Sequence, residues 1–289
     1  MLPAPFEYDR PETLEEALSL LEQYGEDAKV LAGGQSLIPL MKLRFAAPTR
    51  LVDVNRIAGL DGIEERDGAL HIGAMVRHHQ LASSDVLKAS YPTIATAAPL
   101  ISDPIVRNLG TIGGSLAHAD PSGDLGSVMI AMGATIVARS SGGEREIPAA
   151  EIAEGPFQST LAPNELITEI RVPAPPPRSG GTYLKMERKV GDFATVATAI
   201  FLSLENGSIA SAGIGLTSVG LTNLRAEAAE SALVGAAPGE DAFAEAGRLA
   251  AEAADPATDV RGSADYKKHV VDVFVRRGLA AAAEMAGPA

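Results

Sequence analysis

An α+β protein in two parts is the fold class the sequence predicts, on three observations. Between residues 13 and 172 the apolar pattern switches repeatedly between the helical and the strand period. The run Pro173-Ala174-Pro175-Pro176-Pro177 has the composition of an extended linker. Beyond it, strand-like stretches give way to alanine-rich helical ones, the pattern of a three-stranded antiparallel sheet packed with helices. We therefore expect one domain over residues 1–175, with subdomains of about 1–57 and 58–175, and a smaller C-terminal domain over 176–289.

Each element has a local reason. Thr13-Leu14-Glu15-Glu16 has the form of a capping box, and Leu14, Ala17, Leu18 and Leu21 fall at helical spacing up to Gly25, so a helix is predicted there. Lys29–Ala32 reads as a short buried strand, Gly33 as a turn, Leu37–Arg44 as a helix and Leu51–Val54 as the next strand. Asp67-Gly68 supplies the turn of a hairpin spanning Ile63 to Val76. Helical stretches follow at 81–87 and 92–100, then a glycine-rich turn from Gly110 to Ser115, a helix at 125–132 and strands at 135–139 and 165–172, with Gly142-Gly143 as a separator. In the second part, 182–187, 194–204 and 209–216 read as strands, with Asn206-Gly207 marking a hairpin, and residues from Arg225 onward read as helices ending in 264–285.

Composition excludes several classes. A surplus of 37 acidic over 24 basic residues gives a formal charge of -13, which opposes nucleic acid and anionic membranes. With no cysteine, the chain cannot by itself hold a disulfide, a thiolate zinc site or an iron–sulfur cluster. Residues 1–10 lack a signal pattern and no apolar run reaches membrane-spanning length. The expected location is the cytoplasm, with a peripheral seat at the inner face of the membrane left open.

Glycine carries the functional signal. A diphosphate needs backbone amides aimed at it with no side chain in the way, which glycine permits. Ala32-Gly33-Gly34-Gln35-Ser36, between a strand and a helix start, and Thr111-Ile112-Gly113-Gly114-Ser115 are two such segments, and two can clasp one diphosphate. The Ser36 hydroxyl can donate to a phosphate oxygen. Taken singly, each is also read as an ordinary tight turn. Neither a G-x-G-x-x-G nor a G-x-x-x-x-G-K-[ST] pattern is present, so Rossmann and P-loop sites are unsupported.

Ala32–Leu37 followed by Gly110–Leu116, with Asp124 nine residues after Ser115, resembles the FAD-binding medium subunit of the molybdenum hydroxylases, the family of xanthine dehydrogenase and aerobic carbon monoxide dehydrogenase. The resemblance extends through Lys42-Leu43-Arg44, Ala117-His118-Ala119-Asp120-Pro121, Thr168–Pro173 and Lys185-Met186-Glu187-Arg188, essentially the whole chain. It implies a vanillyl-alcohol-oxidase/PCMH-like FAD-binding domain over the first part and a flavoprotein domain over the second. It places Ala32, Gly33, Gly34, Gln35, Ser36 and Leu37 on one side of the diphosphate and Thr111, Gly113, Gly114 and Ser115 on the other. By the same resemblance Asp124 faces the adenosine ribose, and Ile101, Leu166 and Lys185 line the flavin ring. Asp124 as a mere cap of the following helix, and Lys185 as a solvated strand residue, are the competing readings. Gln35 stands where many relatives carry histidine, and Ser115 where members vary; both stay polar, so they leave FAD in place and weaken any substrate assignment.

The implied role is an electron relay: FAD on this chain, [2Fe-2S] clusters on an iron–sulfur small subunit and the molybdenum cofactor on a large subunit, joined as a dimer of heterotrimers. Electrons would pass to an external quinone, oxygen or NAD. Carbon monoxide is the preferred substrate, with xanthine, heteroaromatic or aldehyde hydroxylation as the alternative. No acid–base pair marks this chain as a self-contained flavoenzyme, and a flavin-free interaction module is the third reading. No catalytic residue and no metal site is assigned. His78-His79 read as surface residues, and His118 as either near the flavin or bonded to its loop.

Overall fold

The computed structural model describes residues 2–287. The chain opens with β1 (Glu7–Asp9) and α1 (Leu14–Tyr24). The Thr13 hydroxyl accepts the Glu16 amide, while the Glu16 carboxylate reaches one residue further back than expected, to the Glu12 amide at 2.9 Å. Gly25, at φ 49°, ends the helix and bonds the Leu21 carbonyl. Next come β2 (Ala28–Leu31), α2 (Leu37–Lys42) and β3 (Arg50–Asp53). These strands form a parallel sheet in the order β1-β3-β2, on which Ala17, Leu18 and Leu21 of α1 are buried.

The hairpin of β4 (Ile63–Arg66) and β5 (Ala69–Gly73) turns at Asp67-Gly68 as predicted. A helical run follows: α3 (His78–Ser83), α4 (Asp85–Ser90), α5 (Pro92–Ala97), α6 (Pro104–Leu109), α7 (Ile112–His118) and α8 (Asp124–Ala131). Then come β6 (Thr135–Ser140), β7 (Gly143–Pro148), the small hairpin of β8 (Ala153–Gly155) and β9 (Gln158–Ser159), and β10 (Leu166–Pro173). The second sheet is antiparallel, in the order β4-β5-β10-β6-β7. Gly142-Gly143, read as a separator, lies between β6 and β7, which form a hairpin turned at Ser141-Gly142 with Gly143 opening β7; β7 is exposed and charged over Glu144–Glu146, so it carries no apolar alternation to read.

Past the prolines lie β11 (Ser179–Met186), β12 (Val196–Glu205), β13 (Ser208–Thr217) and β14 (Leu224–Arg225), then α9 (Glu227–Leu233), α10 (Glu240–Ala253) and α11 (Ala264–Ala286). The sheet here has four strands, not three, in the order β11-β12-β13-β14. Two residues of β14 are too few to display a period, and they pair only with Gly215 and Leu216. Among the described residues no helix is long and apolar enough to cross a membrane.

The last sheet does not stand alone. Helix α8 lies on β12 and β13 so closely that a Cβ on Gly213 would sit 1.9 Å from the Ala131 carbonyl oxygen, and one on Gly215 2.0 Å from that of Ser127. Helix α5 covers the edge strand β11: the Thr96 hydroxyl accepts the Tyr183 amide at 3.0 Å, and Thr93 donates to the Ile200 carbonyl at 2.9 Å. Since α5 and α8 also belong to the core of the second sheet, the two layers form one packed body. Gly215→Ala must push α8 off β13, and we expect a loss of about 1–3 kcal/mol in urea unfolding, as for other over-packed contacts; an unchanged midpoint would contradict the close packing.

Candidate functional site

The first glycine segment joins β2 to α2. Gly34 takes φ 72°, which a glycine adopts without strain, and the Gln35 side-chain amide donates to the Gly33 carbonyl at 3.2 Å. Among the described residues, the amides of Gly33, Gly34, Gln35 and Ser36 have no acceptor, and the Ser36 hydroxyl makes no capping bond. Successive unpaired amides around a left-handed residue make an anion-binding concavity.

The second segment is built differently from the expected glycine turn. Only Gly110 and Thr111 turn; Ile112 begins α7, and Gly113 and Gly114 lie in its first turn. The amides there are already satisfied: Ile112 by the Val76 carbonyl at 3.0 Å, Gly113 by Ala74 at 2.9 Å, Ser115 by Thr111 at 3.0 Å, and Gly114 by the Thr111 hydroxyl at 3.1 Å. The glycines serve closeness, since a Cβ on Gly113 would lie 2.6 Å from that of Ala74. This wall offers a smooth backbone and the Ser115 side chain, while the free amides belong to the first wall.

The fold brings the two walls into contact. A Cβ on Gly33 would lie 2.4 Å from the Leu109 carbonyl oxygen and 2.7 Å from the Gly110 Cα, and one on Gly114 would lie 3.7 Å from the Ala32 methyl. Leu166, at the start of β10, is buried in the cluster that also receives Val30 and Ala32. Across the seam runs a polar chain that the sequence reading missed. The Tyr8 hydroxyl donates to Asp53; Asp53 accepts the Asn55 amide nitrogens; Asn55 donates to the Ala32 carbonyl at 2.8 Å; and Arg77 donates to both Asn55, at 2.6 Å, and the Leu109 carbonyl. Burial pushes the Asp53 carboxyl up, but the Tyr8 and Asn55 donors outweigh it and hold it below the usual range.

Asp124, Lys185 and Ile101 form a second group. The strand period puts Tyr183 and Lys185 on one face of β11, with Glu187 just past its end. Asp124, the first residue of α8, accepts the Tyr183 hydroxyl at 2.7 Å and the Lys185 ammonium at 3.0 Å, and Lys185 also donates to the Leu100 carbonyl at 2.9 Å. The Lys185 side chain is 2% exposed, which excludes a solvated face residue, and the Asp124 carboxylate turns to β11 rather than capping α8, whose N-cap is Gly123. Burial pushes Asp124 up against the pull of Lys185 and Tyr183, and burial with the adjacent carboxylate holds the Tyr183 phenol well above its ordinary range. Ile101, half-buried, follows the carbonyl that Lys185 holds, and its own carbonyl accepts Arg107 at 2.9 Å. Helices α7 and α8 pack together, and Ser115 and Gly123 line one small cavity beside them.

Comparison with known proteins agrees with this layout. Residues 4–175 match the FAD binding domain in molybdopterin dehydrogenase, and residues 181–282 match the CO dehydrogenase flavoprotein C-terminal domain. The chain is 44% identical to the carbon monoxide dehydrogenase medium chain of Hydrogenophaga pseudoflava, over 98% of each chain. It belongs to the FAD-binding medium-chain family of the molybdenum hydroxylases. A solved carbon monoxide dehydrogenase from the same organism superposes with a TM-score of 0.96 at 45% identity, covering 99% of each chain. The 6-hydroxypseudooxynicotine dehydrogenase complex subunit alpha of Paenarthrobacter nicotinovorans is 40% identical over 100% of this chain and 98% of its own.

Within this medium-chain fold the histidines fall differently from expectation. His78 is not at the surface: it is 5% exposed, its ring packs against Gly110, and its Nδ1 is buried without a partner. The helical spacing of α3 hid this, because α3 is only six residues long. His79 is exposed, and His118 packs on Phe157 with ring centroids 5.1 Å apart. Among the described residues no cluster of three or more potential ligands could hold a metal ion.

Two outcomes follow. Lys185→Met leaves the buried Asp124 without its cation and should cost about 3–5 kcal/mol in thermal unfolding, with part regained in the Lys185→Met/Asp124→Asn double variant. Burial, with Arg107 and Arg77 nearby, lowers His78 to about 4. The folded state then binds fewer protons than the unfolded one between pH 6.5 and 4, so stability falls as pH falls through that window, by at most about 1.4 kcal/mol per pH unit. A shallower loss in His78→Gln, measured by urea unfolding at several pH values, would agree; an unchanged slope would not.

Proposed function

We propose that this chain carries FAD across its two glycine segments and serves as the electron-relay subunit of a molybdenum hydroxylase complex. The observation that carries the reading is the row of four unpaired amides from Gly33 to Ser36, whose first residue lies directly against the Leu109–Gly110 backbone. Those amides and the Ser36 hydroxyl would take the diphosphate oxygens, with Leu37 starting the helix behind them. Thr111, Gly113, Gly114 and Ser115 would close the other side by permitting approach. Bound FAD would supply the exchange between single-electron and paired-electron transfer.

The remaining residues prepare the ring end. Lys185 holds the Leu100 carbonyl and so fixes where Ile101 stands, while its buried charge favours negative charge nearby. Leu166 would wall the ring from the core of the first sheet. Both oxygens of Asp124 already have donors, so contact with the ribose hydroxyls requires it to share or exchange one of them.

We place this chain between an iron–sulfur small subunit and a molybdenum-binding large subunit, in a cytoplasmic dimer of heterotrimers, with quinone, oxygen or NAD as acceptor. Carbon monoxide is the first choice of substrate. Relatives of nearly equal identity are named for carbon monoxide and for 6-hydroxypseudooxynicotine, which supports assigning substrate choice to the partner rather than to this chain.

Purified from its host, the complex should hold one FAD per copy of this chain, and carbon monoxide should bleach that flavin without air. Bleaching by a heteroaromatic or aldehyde alone would replace the substrate. A flavin that no substrate of the molybdenum subunit reduces would overturn the relay. In the isolated chain, Gly33→Val should weaken FAD binding at least on the order of tenfold, since the added side chain meets the Leu109 carbonyl.

A further inference from the structure

We propose that Asn55 and Arg77 act as a positioning clasp that aims the Gly33 amide into the cofactor cleft and fixes the gap between its two walls; the inference rests on the FAD reading above. A trans peptide is planar, with its carbonyl and its following N–H pointing in opposite directions. The Ala32 carbonyl accepts Asn55 Nδ2 at 2.8 Å, so the Gly33 N–H of the same peptide points away from Asn55. That N–H is one of the four amides without an acceptor among the described residues. Holding the carbonyl on one side therefore sets the donor on the other.

The Asn55 side chain can stand only one way round. Its nitrogen lies 2.6 Å from Asp53 Oδ1 as well as on Ala32, and its oxygen accepts Arg77 Nη2 at 2.6 Å. Turned over, it would set its NH₂ against a guanidinium that only donates and its oxygen against a carboxylate and a carbonyl that only accept. Asp53, 8% exposed, is in turn held by the Tyr8 hydroxyl.

Arg77 supplies the other jaw. Its second terminal nitrogen donates to the Leu109 carbonyl, the atom that a Cβ on Gly33 would meet. Its backbone bridges Thr111, and the next amide, that of His78, bonds the Gly110 carbonyl at 3.0 Å. One residue thus grips the second wall by main chain and side chain and, through Asn55, the first wall. Only a planar guanidinium with two separated donor nitrogens can span both acceptors; a lysine ammonium cannot.

The test titrates the isolated full-length chain, stripped of flavin, with FAD by flavin fluorescence and follows the melting temperature of the flavin-free protein. Asn55→Asp keeps the size and the acceptor for Arg77 but removes the donor to Ala32; Arg77→Lys keeps the charge but not the span. Each should weaken FAD binding by roughly ten- to a hundred-fold, the loss of one or two bonds to a charged group. The double variant should lose no more than the worse single one, because the two act as a unit. Because each variant also unpairs seam groups, flavin-free melting temperatures should fall by roughly 2–8 °C, while the loss of FAD affinity should persist at temperatures where the variant is fully folded, and millimolar guanidinium should restore affinity to Arg77→Ala. Unchanged affinity in either single variant, additive losses, or affinity equal to the parent's wherever the variant is folded would overturn the clasp. A parent chain that takes up no FAD would overturn the FAD reading instead.

Discussion

A backbone carbonyl from one sheet's helical run and a glycine from the other sheet's loop meet at a distance that excludes even a methyl group. The approach of Gly33 to Leu109 and Gly110 joins into one continuous seam what would otherwise be two separate loops. Close backbone approach is costly unless the polar groups at the seam find partners. The chain meets that need with Arg77 on the Leu109 carbonyl, Asn55 on Ala32, and the paired stretch from Ala74 to His78 that receives the Ile112 and Gly113 amides and donates to Gly110. Among the described residues, the amides from Gly33 to Ser36 are left without an acceptor. Paired main-chain groups at the seam beside these unpaired amides are the asymmetry a cofactor site needs.

The second dependence is on the contact between the large part of the chain and the C-terminal sheet. Asp124 and Lys185 are 61 positions apart and come from α8 and β11, so their bond exists only when the two layers dock. The same docking places Thr96 on the edge of β11 and lets α8 ride on Gly213 and Gly215. In the proposed FAD site the ring end would be shaped by the second part, through Lys185, Leu100 and Ile101.

Part of this was legible locally. The Thr13 cap, the Asp67-Gly68 hairpin and the turn at Gly33-Gly34 depend on residues close in sequence, and Asp124 and Lys185 were singled out by resemblance. Three things were not legible, for one reason. That Gly113 and Gly114 begin a helix with satisfied amides depends on Ala74 and Val76; that His78 is buried depends on Gly110; and the clasp joins Tyr8, Asp53, Asn55, Arg77 and Leu109. Apart from Asn55 on Asp53, two residues away, these partners lie beyond the reach of a helical or strand period, so no pattern in the sequence marks them. The residues proposed for their own chemistry stand out in the sequence, whereas those proposed to position them are ordinary polar residues whose partners are set by the tertiary fold. The fourth strand, β14, was missed because two residues carry no period.

The central claim is that the two glycine segments form one diphosphate site. Comparing FAD with FMN and riboflavin by fluorescence titration of the flavin-free chain tests it most directly, because only FAD carries a diphosphate between two end groups. With at least two charge-assisted bonds from the Gly33–Ser36 amides, FAD should bind on the order of a hundred-fold more tightly than riboflavin, with FMN between them. Equal affinity for all three would mean that the chain grips only the ring and that the glycine segments are turns and nothing more.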